Sequence, residues 1–169
     1  MEVVSIFAEN LYSFRYDGET ENEYDRMMDL WTDTEYLREY AIQNDVADVY
    51  GFIEDISRCA EVVQDFLEDI IHSRDDLELY FEALQESERK RVTLSLQKGK
   101  IRRNKLRLYA VKIDSNCFVI TGGAIKMSQR MDEHPDTEME LKKLNAAREY
   151  FRSNGVFDED SFFELLIEN

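Results

Sequence analysis

The hydrophobic pattern of this 169-residue chain changes its period near Arg91. Between residues 47 and 71, apolar side chains recur every three or four positions, which is the spacing of one face of a helix. From residue 92 onward, apolar and polar residues alternate, which is the spacing of a strand with one buried face. Because helical and strand patterns occupy separate stretches of the chain, the sequence predicts an α+β fold.

Turn and cap residues predict where the elements begin and end. Two short strands at residues 2–8 and 11–16 stop at the turn Asp17-Gly18. A Thr followed three positions later by Glu is a capping box, and it predicts helix starts at Thr20 and Thr32. Three further helices are predicted over residues 47–71, 76–88 and 136–153, followed by a short last helix. The other predicted elements are a strand at residues 92–97, a turn at 98–100, and a hairpin of strands at 105–113 and 117–121.

Length and composition favour one domain. A chain of 169 residues lies within the usual domain range of about 100–200 residues. With 43% apolar residues it also has enough material to build a core. We therefore predict a single α+β domain over residues 1–169. Its predicted parts are acidic helices at about 20–88, a basic sheet at about 89–126, and C-terminal helices at about 136–167.

Charge is segregated along the chain. Residues 89–112 hold ten Lys or Arg and no acid, whereas residues 1–88 hold 25 acids against five Arg and no Lys. The formal net charge is −16, which disfavours general binding to duplex DNA because the field of the whole molecule repels a polyanion. A cationic segment without carboxylates in such a protein indicates an anion-binding surface, and phosphate is the favoured anion. The acidic helix faces are solvated surfaces in the simpler interpretation and a partner-binding surface in the other.

Several classes of site lack a signature in the sequence. His72 and His134 are isolated, and Cys59 and Cys117 lie far apart without the spacing of metal ligands. No glycine-rich phosphate loop is present, and no stretch approaches about 18 consecutive apolar residues. We therefore expect no metal, no cofactor and no membrane span, and the unpaired cysteines and the amino terminus favour a soluble cytoplasmic protein.

One predicted strand carries residues that suit phosphate chemistry. Strand alternation directs Leu106, Leu108 and Ala110 to the core, so Lys105, Arg107 and Tyr109 share the other face. Lys100, Arg102 and Arg103 approach this face from the preceding loop, and with Lys105 they are the predicted RNA-binding residues. Lys and Arg can hold a phosphodiester, and Tyr109 could stack on a base or transfer a proton. The alternative is that these cations pair with acids on neighbouring helices and keep the sheet soluble.

The C-terminal half of the chain also resembles a known family. Residues 105–151 contain Leu106-Arg107 in one strand, an apolar strand at residues 118–120, Lys126, and a Pro135-x-x-Glu138 helix start. This order resembles the end of RelE/ParE-type toxins of bacterial and phage toxin–antitoxin systems, above all the HigB-like branch. The resemblance implies a small twisted antiparallel sheet packed against several helices, with the first residues of the chain supplying an edge strand.

The resemblance also implies an activity. It predicts ribosome-associated mRNA cleavage, or a related toxic activity, restrained by an antitoxin. Arg107 and Lys126 are the catalytic residues that carry over from the family, whereas Tyr109, the third catalytic candidate, depends on the strand-face argument, as does the expectation that cleavage needs no metal. The chain departs from the family because it is acidic, has a longer helical part, and has Met127 where a second Lys is usual. Two other hypotheses remain. The chain could be a noncatalytic interaction protein whose acidic helices bind a basic protein partner, or an acidic decoy that mimics nucleic acid.

Overall fold

The computed structural model describes residues 1–7, 10–84, 94–127 and 135–168, without the side chains of residues 135–137. Six strands and five helices lie within these ranges. The strands are β1 (Glu2–Ser5), β2 (Leu11–Arg15), β3 (Phe81–Ala83), β4 (Ser95–Gly99), β5 (Leu106–Asp114) and β6 (Cys117–Ile125). The helices are α1 (Glu23–Thr32), α2 (Thr34–Gln43), α3 (Val49–His72), α4 (Pro135–Ser153) and α5 (Glu159–Glu168). No helix in these ranges is both long enough and apolar enough to span a bilayer.

The six strands form one mixed sheet, and the α+β prediction is confirmed. The strand order is β1-β2-β6-β5-β4-β3. Four of the pairings are antiparallel, but β2 runs parallel to β6, so the sheet departs from the fully antiparallel expectation at that one pairing. The parallel pairing arises because three helices connect β2 to the later strands, whereas β5 and β6 are joined by the short turn that was predicted.

Asx side chains begin the first three helices. The side-chain oxygen of Asn22 accepts a hydrogen bond from the amide of Asp25, so Asn22 caps α1 and the prediction of Thr20 is wrong by two residues. Asp33 accepts from two amides and separates α1 from α2, close to the predicted break. Asp48 caps α3 in the same way. Short polar side chains satisfy the free amides of a first helical turn, which is why these positions start helices.

The predicted helix at residues 76–88 does not form over its described part. A single 3-10 turn at Leu77–Leu79 is followed by β3, which pairs with β4 at the sheet edge. The reason is tertiary, since the Phe81 ring stacks on Phe118 of β6 at a centroid distance of 4.9 Å. Residues 85–88 lie outside the described residues, as does the start of the strand predicted at residues 92–97.

Glycines lie within strands that were predicted to turn or relax. Gly99 belongs to β4, where it pairs with Phe81 and Leu108, so the turn predicted at residues 98–100 lies instead after the strand. The Tyr80 ring packs where a Cβ of this residue would be. Likewise, β6 continues through Gly122 and Gly123 to Ile125 rather than ending at Thr121. A Cβ on Gly123 would lie 2.6 Å from Cη2 of Trp31, so only glycine lets α1 pack this closely on the sheet.

Both faces of the sheet are covered. Leu106, Leu108 and Ala110 of β5 join the core formed with α1, α2 and α3, as the alternation predicted. Tyr109 and Val111, which point the opposite way, join a second core under α4 and α5. The face that the sequence presented as free for RNA is therefore partly covered by the C-terminal helices.

Candidate anion-binding site

Four cations lie together on one face of the sheet, at the end where β4 and β6 stop. Lys98 pairs with Tyr109 across β4 and β5, and Lys100 follows two residues later. Arg107 pairs with Ala124 across β5 and β6, and the amide of Lys126 donates to the Lys105 carbonyl at 2.7 Å. Residues two apart on a strand share a face, so these pairings bring the side chains together. We call Lys98, Lys100, Arg107 and Lys126 the cationic cluster.

The cationic cluster carries more positive charge than its described neighbours offset. Glu82 of β3 is the carboxylate that pairs with it in the described part of the chain, with its Oε1 3.0 Å from Nζ of Lys100 and 4.0 Å from Nζ of Lys98. Lys98 is only 17% exposed. Burial lowers the pKa of Lys98, and the positive charges of the other three members lower it further, while Glu82 opposes the shift. Such a site favours a bound anion because an anion would relieve this repulsion.

Arg107 is held in position by backbone groups. Its Nη1 donates to the carbonyl of Asn104 at 2.5 Å and to that of Leu106 at 2.8 Å. Asn104 is buried and is itself fixed, since its Nδ2 donates to the Cys59 carbonyl of α3 at 2.9 Å. Carbonyls neutralise no charge, so Arg107 is oriented yet remains a full cation with further N–H donors. Asn104 was not predicted, and the only signal for it was its place between basic residues and a strand.

Tyr109 belongs to the same face but not to an accessible site. Its side chain is 3% exposed, so it is not accessible for the base stacking or proton transfer that the sequence suggested for it. Burial, together with the charge of Glu140 on α4, raises the pKa of Tyr109 to about 12. The C-terminal helices cover this part of the strand, so the ring has no free face on which a base could stack.

The remaining predicted RNA-binding residues are divided. Lys105 turns to the opposite side and pairs with Asp55 of α3, so the alternative interpretation, pairing with an acid on a neighbouring element, is correct for it. Lys112, which was not among the predicted residues, pairs with Glu78. Arg102 and Arg103 are exposed on the turn before β5, next to the cationic cluster in sequence. The basic residues 89–91 lie outside the described residues.

The described residues offer little for metal or thiol chemistry. They contain no group of three or more His, Cys, Asp or Glu that could hold a metal ion. Cys59 and Cys117 are buried and free, and burial raises the pKa of the Cys117 thiol to about 12. A thiol in that state is a poor nucleophile. His72 is exposed, and His134 lies outside the described residues.

Comparisons with protein-family models, with curated proteins and with solved structures find no match to this chain.

Proposed function

We propose that this chain is a toxin-like RNA-binding protein that holds a phosphodiester at the cationic cluster and cleaves mRNA on the ribosome without a metal ion. The observation that supports the proposal is the excess of cations over carboxylates, among the residues that the structure describes, at a partly buried site that contains Arg107 and Lys126. These are the two residues that the resemblance to RelE/ParE-type toxins selects. Arg102 and Arg103, exposed on the adjoining turn, would extend the contact along the RNA backbone.

The main requirement of the proposed reaction is stabilisation of the negative charge that develops on the phosphate. The RNA 2′-oxygen attacks the adjacent phosphorus, the bond from phosphorus to the 5′-oxygen breaks, and a 2′,3′-cyclic phosphate remains. The 2′-hydroxyl loses a proton and the 5′-oxygen gains one, so no other reactant is consumed. Arg107 and Lys126 would offset the negative charge that grows on the phosphate oxygens. Tyr109, being buried, has no part in this scheme.

Binding is tested with fluorescently labelled single-stranded RNA. The double variant Arg107→Ala/Lys126→Ala should lower affinity about tenfold at low salt, and the loss of two phosphate contacts should reduce the slope of log K against log salt by about 1.4. The matched control is Lys142→Ala/Arg152→Ala, which removes two exposed cations from α4. Equal losses in the two double variants would mean that RNA responds only to net charge, and the cluster would have no special role.

Activity is tested in cells. Induced expression of the wild-type chain should arrest growth and produce mRNA fragments ending in a 2′,3′-cyclic phosphate. Arg107→Ala/Lys126→Ala should abolish both effects at the same protein level, and the control pair on α4 should not. Harmless expression of the wild type, with intact mRNA, would exclude the cleavage part of the proposal.

A second candidate function is binding of a basic protein partner through α3. Glu61, Asp65, Glu68 and Asp69 are exposed on its outer surface, and none of them pairs with a cation in the described part of the chain. An antitoxin, or a partner unrelated to toxins, could dock on this surface. The test is affinity capture with the wild type and with the four acids changed to their amides. A basic partner lost by the amide variant supports this candidate, and a captured enzyme released by DNA supports the nucleic-acid decoy.

A further inference from the structure

A cavity of about 340 Å³ lies beside the cationic cluster, at the free edge of β6. The pairing of β2 with β6 ends at Ser13 and Ile120, whereas β6 continues for five more residues. That stretch has no partner strand on its outer side among the described strands, because the chain leaves β2 for α1. The cavity occupies the space between α1, α2, the end of β6 and α4. Its volume is within the usual range for small-ligand pockets.

The cavity lacks the excess of cations over described carboxylates that is found at the cationic cluster. Arg26 binds the Glu23 carboxylate through two hydrogen bonds of 2.7 and 3.1 Å. Nζ of Lys143 lies 3.2 Å from the same carboxylate and 3.1 Å from Oε1 of Glu140. With the exposed Glu39 at the rim, two cations face three acidic side chains. A second phosphate is therefore disfavoured here, whereas a neutral group adds no charge to the site.

The rest of the wall suits a planar group with polar edges. Met27, Leu30 and Ile125 contribute apolar surface, and polar and apolar surface contribute about equally to the wall. Glu140 borders the cavity, but its buried Oε2 lies against Gly122, which does not line the cavity. The exposed carboxylate of Glu39 at the rim is an acceptor of the kind that the N–H groups on the edge of a nucleobase require.

The cavity and the cationic cluster are joined through β6. Ala124 lines the cavity and pairs with Arg107, and Lys126 follows two residues later, about 7 Å along the strand at the usual rise. We propose that the cavity takes one unstacked nucleobase of the RNA whose phosphate the cationic cluster holds, an inference that rests on the proposed function. Proteins that read single-stranded RNA commonly take bases out of the stack in this way.

The test compares two RNA probes of equal charge. One is a pentamer with randomised bases, and the other is a pentamer in which every nucleotide is abasic. Wild-type protein should bind the randomised pentamer about tenfold more tightly, the scale of one well-placed base. Leu30→Trp should fill the cavity and remove this preference while binding to the abasic pentamer is kept. Ile42→Trp, on exposed α2 surface outside the cavity, is the matched control and should keep the preference.

A second variant, at the rim of the cavity, tests the same prediction if Leu30→Trp does not fold. Met139→Trp, at a 60% exposed position of the wall, should also reduce the preference. Equal binding of the two pentamers by the wild type, with both weakened by Arg107→Ala/Lys126→Ala, would overturn the base cavity and leave the cationic cluster intact. Binding of neither pentamer would overturn the proposed function, and this inference with it.

Discussion

The cationic cluster and the ion-pair network under α4 use the same residue types to opposite effect. In the network, Glu23 and Glu140 match Arg26 and Lys143. In the cationic cluster, Glu82 is the one described carboxylate paired with cluster members. Matched and buried charges hold elements of the fold together, whereas partly exposed cations that outnumber the described carboxylates around them can bind an anionic ligand. The number of cations alone does not distinguish the structural network from the candidate binding site. The number of carboxylates paired with those cations does.

The strongest test of this contrast removes the carboxylate shared in the network. Glu23 is 3% exposed and pairs with both Arg26 and Lys143, so Glu23→Ala leaves two cations without it. We expect the free energy of unfolding in urea to fall by about 3–5 kcal/mol. Asp29→Ala, at an exposed position of the same helix, should change it by less than about 0.5 kcal/mol. Similar small changes in both variants would mean that the network does not stabilise the fold.

The pH dependence of stability tests the other carboxylate of the network. Burial raises the pKa of Glu140 from 4.5 to about 7, against the opposing effect of Lys143. Because the folded protein prefers the protonated form, its contribution is fully present below pH 4.5 and is lost as pH rises through about 7. Stability should therefore fall by up to about 3 kcal/mol between pH 5 and 8 from this group. Glu140→Gln should flatten the urea-unfolding profile over that range, and an unchanged profile would exclude this carboxyl group as its source.

A smaller effect is expected when the cationic cluster binds a simple anion. Phosphate that binds only the folded state should raise the melting temperature of the wild type, with a gain of about 1.4 kcal/mol when phosphate is tenfold above its Kd. Arg107→Ala/Lys126→Ala should lose most of this gain. Chloride at equal ionic strength controls for screening, and an identical response to the two salts would mean that phosphate has no specific site here.

The smallest effect is expected for an exposed ion pair outside both sites. Lys105 is 51% exposed and pairs with Asp55, which is 38% exposed. Lys105→Ala should cost less than about 1 kcal/mol of stability, since solvent screens exposed pairs. Its RNA affinity should remain within about twofold of wild type after correction for net charge. A loss as large as that of Arg107→Ala/Lys126→Ala would place Lys105 back in the RNA site.

Local sequence patterns predicted the elements at which two independent signals, hydrophobic periodicity and turn residues, agree. The long helix at residues 47–71 matches α3, and the hairpin around residue 115 matches β5 and β6, because periodicity and turn residues agree there. The predicted helix at residues 76–88 is wrong over its described part because helical spacing of Leu77, Tyr80 and Phe81 also suits a turn and an edge strand. The pairing of β3 with β4 and the stacking of Phe81 on Phe118 favour the edge strand, and both contacts join positions far apart in sequence.

The sequence predicted the basic character of the candidate site but not the full set of residues that form it. Strand register brings Arg107 and Lys126, the two residues that the family resemblance selected, to one face of the sheet. Lys98 was missed because it was assigned to a turn, and Tyr109 was retained because alternation cannot show that helices cover the second face. Lys105 is not part of the cationic cluster because it pairs with Asp55 of α3, fifty residues earlier in the chain.

By itself, the sequence determined the α+β class, the segregation of charge and the strand that carries the basic residues, because these depend on composition and on short-range periodicity. The tertiary structure decided which cations are neutralised, which face of the sheet is buried, and where a cavity opens beside β6. Those outcomes depend on contacts between residues distant along the chain, and the energy of a charge depends on its surroundings in space. The same ten basic residues could have formed an open surface or a fully paired one, and only the packing of the helices distinguishes them.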